Sequence, residues 1–233
     1  MTHHLHREID RLKQKLLGLS AVVESSVELA VEAVKRRDER LAQRVIDQDE
    51  RIDRSEVEVE EECLKILALH QPVAIDLRFI VAVLKINNDL ERIGDLAVNI
   101  AERVPHLRVE GDAVARFDFS EMSAKVMTML RESLAALINM DTARAFAVCA
   151  ADDEIDAMHR AMYRRVAEAL QARPADADVL MQLHSVSRQL ERIADYATNI
   201  AEDIIYMTEG EIVRHRVEQF ARGGAPAPSP PRP

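Results

Sequence analysis

Residues 90–102 read LERIGDLAVNIAE, and residues 190–202 read LERIADYATNIAE, with ten of thirteen positions identical at an offset of 100 residues. A long match at one fixed offset marks a duplicated structural unit. A second match lies upstream. At an offset of 103, Asp38, Ala42, Val45, Asp49, Ile52 and Asp53 meet Asp141, Ala145, Val148, Asp152, Ile155 and Asp156. The three-residue difference between the two offsets belongs in a turn, where length changes are tolerated.

The periodicity is helical. Leu5, Ile9, Leu12, Leu16, Leu19, Val23, Val27, Ala30 and Val34 step by three and four, the stripe of an amphipathic helix over 5–35. Asp38 stands as the N-cap of a second helix over 39–70. HQPVA turns the chain into a third helix over 73–104. Phe119, Met122, Val126, Met129, Ser133, Leu137 and Met140 start a fourth helix. Asp141 caps a fifth that runs to 171, and a sixth covers 176–207, closed by Gly210. The fold expected is therefore all-α: two similar antiparallel three-helix bundles, residues 1–107 and 108–216. The Pro-rich tail 217–233 (ending GGAPAPSPPRP) is too rich in Pro and Gly to join them. Aromatic residues at 3% and only six glycines leave little for a sheet.

The net charge of −10 argues against nucleic-acid binding and is compatible with collecting cations. Cys63 and Cys149 lack CxxC spacing and read as small buried hydrophobes of a cytoplasmic protein. The apolar runs are too short to span a bilayer, so contact with a membrane is expected only through partners. The polar start MTHHLHREID carries no signal-peptide pattern. His3, His4 and His6 read as part of a mobile end.

The repeated motif places Glu91 and Asp95, and again Glu191 and Asp195, four residues apart on one helix face. At that spacing the Cβ atoms are about 5–6 Å apart, and like charges repel by a few tenths of a kcal/mol. The preceding helices carry Asp49/Asp53 and Asp152/Asp156 at the same spacing. In an antiparallel hairpin both pairs lie at nearly equal distances from the turn, which brings four carboxylates level in each half. Oxygen donors of this kind suit divalent cations or iron: Mg²⁺, Mn²⁺, Ca²⁺, Fe or Zn²⁺. The competing reading is a solvated acidic face, with Arg92 and Arg192 as its counter-charges. Glu56 and Glu60 extend the first face, whereas their counterparts are His159 and Tyr163. A carboxylate-bridged metalloenzyme or metal-storage bundle is the alternative, but the paired ExxH motifs of that chemistry are missing. No Gly-rich phosphate loop and no nucleophile–base signature is present, so an enzyme is not expected.

These segments resemble the PhoU family. HQPVAIDLRFIVAVLKINNDLERIGDLAVNIAER (70–103), RQLERIADYATNIAEDIIYMTEGEIVRH (188–215) and HREIDRLKQKLLGLSAVVESSVELAVEAV (6–34) are similar to its signature segment, its last helix and its first helix. The resemblance implies a pair of three-helix bundles. It also implies metal clusters on E/DxxxD motifs, here Asp49/Asp53, Glu91/Asp95, Asp152/Asp156 and Glu191/Asp195. It further implies negative regulation of the phosphate regulon and of phosphate uptake. In that role the protein is an adaptor between a phosphate ABC transporter ATPase and a sensor histidine kinase. Apolar helix surface left exposed suits a homodimer.

Overall fold

Each α-helical stripe in the chain needs a partner to bury it, and six such stripes build the molecule. The computed structural model describes residues 2–107 and 117–209. Its order is α1 (Thr2–Arg36), α2 (Glu39–His70), α3 (Ala74–Ala101), a 3₁₀ turn (Val104–Leu107), α4 (Ser120–Asn139), α5 (Thr142–Ala172), a second 3₁₀ turn (Pro174–Asp176) and α6 (Ala177–Glu209), with no strand among the described residues. The fold is all-α as expected. The junction around residues 108–116, Gly210 and the Pro-rich tail lie outside the described residues. The first helix begins at Thr2, ahead of the apolar stripe that starts at Leu5, and His4 Nδ1 lies 3.0 Å from Arg7.

The α1 stripe is buried almost completely from Leu12 to Val34 and packs against α2 and α3. In the same way α4, α5 and α6 pack on one another. The corners between the first two helices of each half are built alike. Arg37 and Met140 both take a left-handed backbone, at φ 54. Asp38 N then bonds back to Ala33 O, and Asp141 N to Ala136 O. The Asp38 carboxylate caps Arg40 N and Leu41 N, and that of Asp141 caps Arg144 N. Duplication thus reaches individual hydrogen bonds. Between the other two helices of each half, His70 and Leu77 correspond to Arg173 and Ala177. The shorter connection of the second half removes three residues in the turn and the first turn of the following helix.

The two halves meet along α3 and α6. Arg78 donates to Met207 O (3.3 Å), Lys85 to Asp203 (2.9 Å) and Arg103 to Gln182 (3.5 Å). Numbers rising on α3 and falling on α6 make the pair antiparallel. Asp203 is buried, so Lys85 neutralises a carboxylate held away from water, and its ammonium also stands 5.9 Å over the Tyr206 ring. Arg131 of α4 adds an exposed fork to Glu24 and Glu28 of α1 at 2.8 and 2.6 Å.

These contacts differ in what their loss costs. Lys85→Ala removes the ammonium 2.9 Å from the buried Asp203 carboxylate and is expected to destabilise by about 1–3 kcal/mol. Arg131→Ala removes an exposed pair and should cost under about 1 kcal/mol. Urea unfolding of the two variants ranks them, and a larger loss for Arg131→Ala would contradict this account of the seam.

Candidate functional site

The seam between α2 and α3 is held in register by one side chain. Asn87, buried on α3, donates through Nδ2 to the carbonyl oxygen of Glu56 (2.9 Å) and to its carboxylate (3.0 Å). Two turns further along, Gly94 has no side chain where α2 comes close. A Cβ there would stand 2.9 Å from Ile52 Cδ1 and 3.8 Å from Asp49 Oδ1. This register places Asp49 and Asp53 level with Asp95 and Glu91, as the equal arms of the hairpin predict. The second half repeats the lock with different residues. His159 Nδ1 lies 2.9 Å from Ser187 Oγ, and these are the counterparts of Glu56 and Asn87 at offsets of 103 and 100.

The carboxylates feel one another. Burial raises Asp49 above its ordinary range, and the charges of Asp53 and Asp95 push in the same direction. Glu91 is raised by burial and by Asp95, with Asp53 and Glu56 adding to it against Arg92. In the second half Asp152 and Asp195 are each pushed up to about 6, chiefly by burial. Asp195 and Asp156 add to the first shift, and Glu191 and Asp156 to the second. Glu191 is raised by burial, then by Asp156 and Asp152. All eight expected residues therefore fall into two groups, four on α2–α3 and four on α5–α6.

Counter-charge from the protein is partial. Arg92 reaches Glu91 and Asp95 at 3.5 and 3.4 Å, and Arg160 pairs with Asp156 at 2.9 Å. The solvated-face reading thus accounts for part of each group. Glu91 Oε2 lies 3.5 Å from Arg92 Nε and is buried without a hydrogen-bond partner, so its counter-charge is an ion-pair contact alone. Among the described residues, no three His, Cys, Asp or Glu side chains gather closely enough to hold one metal ion. The groups are strung along each seam. Donor chemistry fits a hard cation, because self-repelling, half-buried carboxylates with raised pKa values gain most from added positive charge.

Glu56 is spoken for by Asn87, so in the first half it acts in the helix contact as well as in the acidic face. In the second half the rings of His159 and His184 stack at 5.3 Å, and Tyr163 meets His184 edge-on at 5.6 Å. Burial lowers the pKa of both histidines, which favours their neutral forms. His184 escaped the motif analysis, although it lies seven residues before Glu191 and corresponds to Leu84. The Cys63 and Cys149 thiols are pushed up to about 12 by burial, as expected of packing residues. No described helix is long and apolar enough to cross a membrane.

The comparisons with known proteins cover both repeats. The family model for the PhoU domain matches residues 16–104 and 119–204. A phosphate-specific transport system accessory protein PhoU homolog of Pseudomonas putida is 36% identical over 220 residues, covering 92% of this chain and 86% of the relative. Homolog 1 of Thermotoga maritima is 32% identical over 226 residues, 96% of each chain. Among solved structures, PhoU from Pseudomonas aeruginosa superposes with a TM-score of 0.82 at 33% identity, covering 88% of this chain and 99% of that one. The phosphate transport system regulatory protein PhoU from Streptococcus pneumoniae gives 0.83 at 29% identity, covering 90% and 99%.

The raised carboxylates carry a pH dependence. Folding lifts Asp152 and Asp195 from 3.8 to about 6, so the folded state holds protons more tightly than the unfolded one. Their contribution to stability is present in acid and is lost as pH rises through about 6. In chelator-treated protein, Asp152→Asn/Asp195→Asn is expected to be more stable than wild type above neutrality. The difference should vanish in acid, and thermal melts across pH measure it. Parallel curves for the two proteins would contradict the assigned upward shifts.

Proposed function

The chain belongs to the PhoU family, and on that premise we propose that it is a regulatory accessory protein of a phosphate-specific transport system. The observation that carries this reading is the match of the family model to both repeats, supported by relatives similar over nearly their whole length. In the finer reading the protein is a cytoplasmic adaptor. It restrains phosphate uptake and regulon expression by engaging the transporter ATPase and a sensor histidine kinase, and it works as a homodimer. Such a role needs docking surface rather than turnover, and long amphipathic helices supply it.

The carboxylate groups serve this role as cation sites. Asp49, Asp53, Glu91 and Asp95 would hold ions on the first seam, and Asp152, Asp156, Glu191 and Asp195 on the second. A divalent cation or iron bound there would supply positive charge where the chain has an excess of negative charge. The sign of each face would then depend on occupancy, which changes the partner it complements.

Co-purification from cells grown in ample phosphate tests the adaptor reading. The tagged protein is expected to bring down the transporter ATPase and the kinase. Glu91→Ala/Asp95→Ala should change that recovery only when metal is present. Recovery of neither partner would overturn the adaptor reading, and equal effects with and without metal would overturn the switch.

A further inference from the structure

The two halves share a backbone plan but not a surface. Beyond the register contact, α2 carries Val57 and Leu64 two helical turns apart, and α3 carries Leu77 and Val81 one turn apart. The Asn87–Glu56 contact fixes the antiparallel register, which sets Leu64 level with Val81 near the turn. All four are exposed, between 39% and 53%. Large apolar side chains clustered in water mark interaction surfaces.

The duplication supplies an internal control. The counterparts of Val57, Leu64 and Leu77 are Arg160, Ala167 and Ala177, and only Val81 keeps an apolar counterpart of similar size, Met181. Arg160 is paired to Asp156 there, and Tyr163 and His184 close over each other at the positions of Glu60 and Leu84. The same helix pair therefore folds without the exposed Val and Leu residues.

What covers this face follows from its rim. Glu60 and Glu61 are exposed beside Val57 and Leu64, and neither belongs to the eight carboxylates assigned to cations, while the cations flanking Leu77 and Val81, Arg78 and Lys85, are engaged by Met207 O and Asp203. Their charge stays negative whatever occupies those groups. A negative rim on a chain of net charge −10 repels an anionic membrane surface and a second copy of the same face. We infer that the exposed face of the α2–α3 hairpin docks a partner helix with an apolar stripe flanked by Lys or Arg. This deepens the adaptor reading and rests on it for the existence of a protein partner.

The probe is a synthetic helical peptide of about 20 residues, with Leu at i, i+3, i+4 and i+7 and Lys flanking that stripe. The control peptide carries Glu in place of Lys. The variant is Val57→Arg/Leu64→Ala/Leu77→Ala, which installs residues that the second half already accommodates, and its thermal melt checks that it folds. Wild type is expected to bind the Lys peptide, to ignore the Glu peptide, and to bind about tenfold more tightly than the variant. No binding, equal binding by the variant, or equal binding of both peptides overturns the inference. Sedimentation of the free proteins and flotation with phosphatidylserine vesicles address the other occupants. Self-association or vesicle binding that the variant loses overturns the inference in favour of a second copy or a membrane. Peptide failure with intact co-purification would remove this surface and leave the adaptor reading standing. The reverse pattern would remove the adaptor reading alone.

Discussion

Everything distinctive about this molecule depends on the register of one helical hairpin. Asn87 is buried on α3 and grips both the backbone and the side chain of Glu56 on α2. A slip of one turn would move the paired carboxylates about 5.4 Å apart along the helix axis and break that contact. Gly94 lets the helices approach at the level of Asp49. With register fixed, acidic side chains that would otherwise spread into water face one another, and the raised pKa values of Asp49 and Glu91, due first to burial, carry a contribution from those neighbours.

The second half keeps the register and replaces the means. Ser187 and His159 take the places of Asn87 and Glu56, and stacked rings fill the space that a leucine and a glutamate occupy in the first half. Duplicated genes free one copy of a surface to change while the other retains its task. Here the acidic pairs are retained in both copies, and the surface beside them diverges. The acidic seam is thus the shared element of the two bundles, and the exposed Val57, Leu64 and Leu77 belong to one of them. Along α3 and α6 the halves are tied by contacts without counterparts in the repeat, Lys85 to Asp203 above all.

The fold was legible because helical stripes, N-caps and the repeat are local signals. Asp38 and Asp141 cap the helices assigned to them, and Leu12 to Val34 bury the side that their spacing marks. The levelling of Asp49 and Asp53 with Glu91 and Asp95 was legible as well, since an antiparallel hairpin makes distance from the turn a coordinate. The contacts that lie sideways were not legible. His184 stacking on His159 and Lys85 crossing to Asp203 depend on rotamers and on how separate helices pack. Glu56 shows the same limit from the other side. Its spacing marks it as part of an acidic face, and only the packed hairpin reveals that Asn87 holds it.

The central claim is that both acidic seams are cation sites rather than solvated faces. Elemental analysis of protein purified without chelator, set beside variants neutralised in one half at a time, addresses it most directly. The account predicts metal in the wild type. It predicts partial loss in Asp49→Asn/Asp53→Asn/Glu91→Gln/Asp95→Asn and in Asp152→Asn/Asp156→Asn/Glu191→Gln/Asp195→Asn, and complete loss when the two sets are combined. A wild type without metal, or the same metal content in all four proteins, would contradict it.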